Sequence, residues 1–270
     1  MVAHKSESEA CDAGYQGMIE EASSSQVSAV SRMLTTPSNR TLIEYCCSMD
    51  SRLGNERYVK RGCTVIRLTE FDDMTSTEGL QKAIDAVRSS PPGNYVHLWG
   101  SLPCTAGSPW QRINKRHRKA RELIDANIKI FKKLIKHFRI VAKEVMSKGG
   151  DVSFEWPSQC ALWQEEEVKG MVDELGMEKV AIHGCSLGLT DPHGVPIKKP
   201  WTIATTSSAM VDHFNPMTCP GASDHPIHQP CAGQLTKGTE GYTDQMTDLV
   251  HAAISDEALL YVAQRAMVAL

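Results

Sequence analysis

The chain of 270 residues is 41% hydrophobic and 23% charged with a formal net charge of −3, the profile of an ordinary globular protein with enough chain to bury one sizeable core. No apolar run approaches the roughly 20 residues of a membrane-spanning helix, and the opening "MVAHKSESEACDAG" lacks the charged-then-apolar order of a secretory signal, so no membrane role is expected. Nine cysteines, an odd number without the dense spacing of a disulfide scaffold, point to reduced thiols and an intracellular location, cytoplasmic or nuclear.

In chain order, residues 1–38 are rich in Ser, Ala and Glu and read as a flexible N-terminal extension. After it the pattern changes to short apolar runs bounded by turns. Strands are predicted at 41–47 ("TLIEYCC") and 63–69 ("CTVIRLT"), and a helix over 75–90 with Ser76 or Thr77 as cap and Leu80, Ile84 and Val87 as its apolar stripe. A strand at 95–102 ends in Leu-Pro-Cys. A long helix follows over about 115–147, its apolar face marked by Ile124, Ile128, Phe131, Ile135, Phe138, Ala142 and Val145. Next come a strand at 151–157, a helix at 165–176 stopped by Gly176, and strands at 179–188 and 199–206. Residues 207–240 are rich in Pro, Gly, Cys and His, and a final helix starts near Thr243. This alternation predicts a doubly wound α/β core over 39–206, a small Cys/His-rich segment over 207–240, and a helix within 241–270 that completes the core.

Doubly wound sheets bind ligands beyond the carboxyl ends of their strands, where "ECC", "TEFDD", "LPCTAG" and "EWP" fall. Cys104 is placed there as a nucleophile, followed by a glycine-bearing loop expected to move over a substrate; its plainer role is a small buried hydrophobe. Glu155 ends another strand and is either a cap or a carboxyl aimed into the cleft, where burial would raise its pKa. Glu70, with Asp72 and Asp73 behind it, sits where such folds place a carboxylate for ribose hydroxyls, and is otherwise a solvated turn. In the Cys/His-rich segment, Cys219, His225, His228 and Cys231 form C-x5-H-x2-H-x2-C, a set able to hold a tetrahedral zinc, with His213 as a substitute ligand. Twelve Lys and Arg lie between Arg112 and Lys143, and Arg112, Lys115, Arg116, Arg118 and Lys119 fall near the mouth of the cleft, where they either track phosphates or form a solvated face.

Together these motifs resemble, in the same order over about residues 41–255, the cytosine-C5 DNA methyltransferase family. "LPCTAGS" is similar to its Pro-Cys strand end with a flexible loop, "FEWP" to its glutamate-ended strand, "VPIKKPWTIATT" to its Val-Pro and basic segment, and "GTEGYTDQMTDLVHAAI" loosely to its closing glycine-rich turn and helix. The resemblance implies a Rossmann-like fold, S-adenosylmethionine as cofactor, and cytosine in nucleic acid, DNA ahead of RNA, as the target, reached by flipping the base. It implies Cys104 as nucleophile at C6, Glu155 as the group at N3, and Lys199 as the substrate-holding base. Glu44, Cys46, Glu70, Asp72 and Asp73 would line the cofactor site. Three motifs depart from the pattern: "IEYCCSMDSRLG" has no glycine before Gly54, Trp156-Pro157 stands for Asn-Val, and "IKKPW" stands for Gln-x-Arg-x-Arg, so Lys199 supplies charge without a bidentate fork. The alternative is a catalytically inactive protein of this fold that binds nucleic acid or a protein partner, and a third reading pairs Cys104 with His97 or His183 as a cysteine hydrolase.

Overall fold

The computed structural model describes residues 40–109 and 111–268; the extension expected over 1–38 lies outside the described residues. Its centre is a six-stranded sheet ordered β2-β1-β3-β4-β6-β5. The strands are β1 (Arg40–Cys47), β2 (Cys63–Thr69), β3 (Tyr95–Gly100), β4 (Asp151–Pro157), β5 (Glu178–His183) and β6 (Pro200–Thr205). The pairs β1 with β2, β1 with β3 and β3 with β4 are parallel, whereas β6 runs antiparallel to both its neighbours. Among the described residues no helix is long and apolar enough to cross a membrane.

Side chains alternate across the sheet as a period of two requires, and both faces are covered. One face carries Ile43, Val96, Leu98, Phe154 and Trp156 into a core with helices α2 (Thr77–Arg88), α4 (Arg118–Ser147) and α5 (Glu166–Glu174). The other carries Leu42, Tyr95, Trp99, Trp201 and Ile203 against α6 (Ser208–Phe214) and α8 (Asp244–Val268). Short helices α1 (Glu56–Val59), α3 (Gln111–Asn114) and α7 (Gln234–Gly238) serve as connectors. The buried residues of α4, among them Ile124, Phe131, Ile135, Phe138, Ala142 and Val145, follow the expected three- and four-residue spacing. Ser76 caps α2 by accepting from the Gly79 amide, and Gly176 takes the positive φ (64°) that ends the α5 region.

Three expectations are corrected. The strand predicted over 179–188 stops at His183, and Gly184–Leu187 folds into a 3-10 turn closed by Gly188 in the left-handed region. The loop read over 207–240 contains α6, whose start is capped when the Ser207 hydroxyl accepts from the Met210 amide and whose Ala209, Met210 and Phe214 are buried. The stretch beyond Cys104 is no open loop: Thr105–Gly107 is a 3-10 turn and residues 111–114 are helical. A Cβ on Gly107 would lie 2.6 Å from the Cys160 Sγ and 2.8 Å from the Leu162 amide nitrogen, so this turn packs tightly on the segment after β4.

Candidate active site and metal cluster

The reversed direction of β6 assembles the site. Pro157 pairs with Trp201 and His183 with Pro200, so the start of β6 lies at the rim where β1 to β4 end. Lys199, one residue before β6, therefore joins Cys104 and Glu155 in the lining of one cavity of about 560 Å³. Cys46, Ser101, Trp201 and Tyr242 line it too, as does the Ser48–Arg52 loop through Asp50 and Ser51.

Cys104 is half-buried and is positioned from β4. The Trp156 indole donates to the Leu102 carbonyl at 2.7 Å, tying the Leu-Pro-Cys segment to the strand that carries Glu155. Trp156 is itself wedged among Phe131, Phe154 and Trp163 and works as a strut. Burial pushes the Cys104 thiol up, the Glu155 charge adds to the rise, and Lys199 opposes it. Burial raises the Glu155 carboxyl to about 7 against the pull of Lys199 and a hydrogen bond from the Tyr242 hydroxyl at 3.4 Å. Its Oε2 is shielded from solvent with no protein partner. Tyr242 is a buried hub that also accepts from the Trp99 indole at 3.0 Å and sits 3.0 Å from the Ser101 hydroxyl. The Lys199 ammonium donates to the Thr239 carbonyl at 2.6 Å and lies over the Trp201 ring.

A second cavity of about 410 Å³ opens at the ends of β1 and β2, and Cys46, Cys47, Ser48 and Pro103 are common to both walls. Glu70 and Asp73 line it. Asp72 is absent from that lining: it closes a capping box with Thr69 and pairs with Lys82, which removes it from the expected cofactor contacts. Glu44 lines neither cavity. Fully buried within β1, it accepts from the Ser51 hydroxyl and lies 3.4 Å from Arg67, so its expected contact with a ligand is replaced by holding the Ser48–Arg52 loop. Arg67 reaches the Ser51 carbonyl at 2.8 Å by crossing Gly54, where a Cβ would fall 2.1 Å from the guanidinium. Cys46, between the cavities, has φ 60° at an irregularity in the β1–β2 pairing. The chain thus makes at a cysteine the left-handed bend for which a glycine-rich loop would supply glycine, at a cost of order 1–3 kcal/mol.

The Cys/His segment gives a different set from the one spacing implied. Cys185, Cys219, His225 and His228 have their ligand atoms within 4.8 Å of one another and can hold a metal ion. Cys231 is replaced in this group by Cys185, because its Sγ turns to the Thr239 hydroxyl at 3.3 Å. His213 is paired with Asp256 at 2.8 Å and is no substitute ligand. Sequence reasoning missed Cys185 because it read Gly184–Gly188 as strand.

The hydrolase pairing finds no support, since neither histidine lines the Cys104 cavity. His97 is fully buried between the Tyr95 hydroxyl and Ser153, and burial lowers it to about 3. The His183 Nδ1 accepts from the Cys219 amide at 2.9 Å. Part of the basic run is neutralised: Lys132 meets Glu165 and Glu167, and Arg139 and Lys143 meet Glu174. Lys115, Arg116, Arg118 and Lys119 are exposed, while the expected phosphate contact at Arg112 lies outside the described side chains. No family model matches the chain, and neither does any curated protein or solved structure.

Proposed function

We propose that this is an S-adenosylmethionine-dependent methyltransferase-type protein whose target is cytosine in nucleic acid, DNA ahead of RNA, with Cys104 as the attacking group. The observation that carries the reading is the shared wall. Cys104, Glu155 and Lys199, drawn from three separate strand ends, line one cavity, and that cavity adjoins a second one bearing Glu70 and Asp73. The sheet is compatible with it as well, being mostly parallel, covered by helices on both faces, and bearing both cavities beyond the carboxyl ends of its parallel strands. The residues present fit the cofactor: an exposed carboxylate, Glu70, beyond β2 suits ribose hydroxyls, and the apolar Met74, Leu134 and Pro103 beside it suit a flat adenine.

When bound, S-adenosylmethionine supplies a methyl group on a positively charged sulfur. The chain does the rest. The Cys104 thiolate adds to C6 of the flipped base and C5 becomes nucleophilic; once C5 carries the methyl group, loss of its proton to solvent expels the thiolate in a final elimination that restores the ring. Glu155, at about 7, is partly protonated near neutrality and donates to N3 as the addition proceeds. Lys199 balances negative charge at the cavity edge, and Trp156 holds the thiol and the carboxyl in fixed relation. Lys115, Arg116, Arg118 and Lys119 supply the phosphate contacts.

One observation favours the inactive binding protein instead. Reactive thiols are lowered by their surroundings, and Cys104 is raised; the neighbouring Lys199 is spent on Thr239. In the enzyme reading thiolate and protonated carboxyl are then a minority combination, populated between the two pKa values. Calorimetric titration with S-adenosylhomocysteine tests the cofactor half. One molecule binds per chain, and Glu70→Ala weakens binding by about 1.5–3 kcal/mol through loss of a charged hydrogen bond. No heat at millimolar ligand overturns the methyltransferase reading.

A further inference from the structure

We infer that Cys185, Cys219, His225 and His228 form a closed structural zinc site that staples the Pro-rich segment 216–233 to the end of β5. The inference is independent of the cytosine reading, since it concerns metal content alone.

A tetrahedral zinc with Zn–S about 2.3 Å and Zn–N about 2.0–2.1 Å has sulfur–nitrogen edges of about 3.6 Å. The Cys219 Sγ lies 3.8 Å from the His225 Nδ1 and 3.4 Å from the His228 Nε2, on either side of that edge. The fourth ligand atom, from Cys185, falls within the same 4.8 Å envelope. Two thiols and two imidazoles make a complete tetrahedron of soft and borderline donors, which suits zinc over the oxygen-seeking cations. With four protein ligands no position is left open for water or substrate, so the site is structural.

The segment needs such a staple. From 216 to 233 it forms neither helix nor strand; Met217 and Cys231 pack near its two ends against the main core, but Ile227 between them is 70% exposed, so the segment has no core of its own. Cys185 comes from a different part of the chain, the 3-10 turn after β5, so a metal here crosslinks the segment to the sheet. The scaffold is set for it: the Cys219 amide is pinned by the His183 ring, and Gln229 bridges to Ile197 with its amide donating to the Pro196 carbonyl at 2.8 Å. Residues 196–199 lead into Lys199, and the Gly184 amide donates to the Lys199 carbonyl at 2.8 Å, so the staple also braces one wall of the Cys104 cavity.

Full-length protein, purified without added metal or chelator, is analysed for metal content as wild type, Cys185→Ser and Cys231→Ser. The expected result is one zinc per chain in wild type and in Cys231→Ser, and loss in Cys185→Ser. Cobalt exchanged into wild type gives visible bands of a four-coordinate ion with thiolate charge transfer. Should Cys185→Ser fail to fold, alkylation of wild type decides: chelator opens Cys185 and Cys219 to iodoacetamide and leaves the Cys231 reaction unchanged. Zinc lost from Cys231→Ser but kept in Cys185→Ser overturns the assignment. So does metal-free wild type, including protein in which Cys185 and Cys219 are joined as a disulfide.

Discussion

Cys104 at the cavity and Cys219 at the cluster are both half-buried cysteines at the same rim of the sheet, yet the chain supports them in opposite ways. Around Cys104 the support is the core itself: Trp156 grips Leu102 from within a stack of aromatic rings, and Gly107 seats the following turn against Cys160 and Leu162. Around Cys219 there is almost no core; the segment is held by a few backbone hydrogen bonds and by whatever joins its thiols and imidazoles. Packing places the first to within the rigidity of the interior, whereas the second depends on a crosslink. Rigid placement suits a group that must face a flat substrate. A crosslink suits a segment that has to be fastened without bulk.

Three measurements test that contrast, beginning with the largest effect. Trp156→Ala removes the strut from the core and is expected to cost about 3–5 kcal/mol in denaturant unfolding; a loss below about 1 kcal/mol would mean that the Cys104 segment is held by something else. Glu155→Gln acts through pH. Burial raises the folded-state carboxyl from 4.5 to about 7, so the cost of the buried charge builds between those values and is fully present above pH 7. Removing the charge therefore stabilises the protein at pH 8, by about 2 kcal/mol for a side chain still partly open to the cavity, with the gain fading as pH falls from 7 to 4.5 and absent below that. Equal stability of variant and wild type at pH 8 would show the carboxyl to be fully solvated. At the cluster, Ile227→Ser should change global stability by no more than about 0.5 kcal/mol, since that side chain touches water already. A larger loss would reveal a packed core in that segment, in place of dependence on a crosslink.

The regular part of the molecule was legible because hydrophobic period and strand ends are local signals. β2 and β4 fall at the predicted residues, α4 begins three residues late, and the strand-end rule brought Cys104, Glu155, Glu70 and Asp73 to cavity walls. Strand direction has no local signal, so the reversal of β6 was invisible, and Lys199 reached the site through a family resemblance alone. Glu44 and Asp72 show the limit of reading carboxylates at strand ends: each satisfied a nearby donor first, Ser51 and Arg67 for one, Thr69 and Lys82 for the other. Tyr242 was missed because an aromatic in a glycine-rich turn reads as loop, although it ties Trp99, Ser101 and Glu155 together. Cys185 lies 34 residues before Cys219, beyond any compact spacing pattern, and only the turn after β5 brings the two together.

The central claim is that Cys104 adds to a flipped cytosine, and a covalent trap tests it most directly. Oligonucleotides carrying 5-fluorocytosine, DNA and RNA, are incubated with the protein and S-adenosylmethionine; fluorine at C5 blocks the final elimination and leaves the thiol bonded to C6. An adduct is expected that survives denaturation, maps to the peptide containing Cys104, and disappears in Cys104→Ser. No adduct on either nucleic acid from protein that binds S-adenosylhomocysteine, or an adduct that persists in Cys104→Ser, would contradict it.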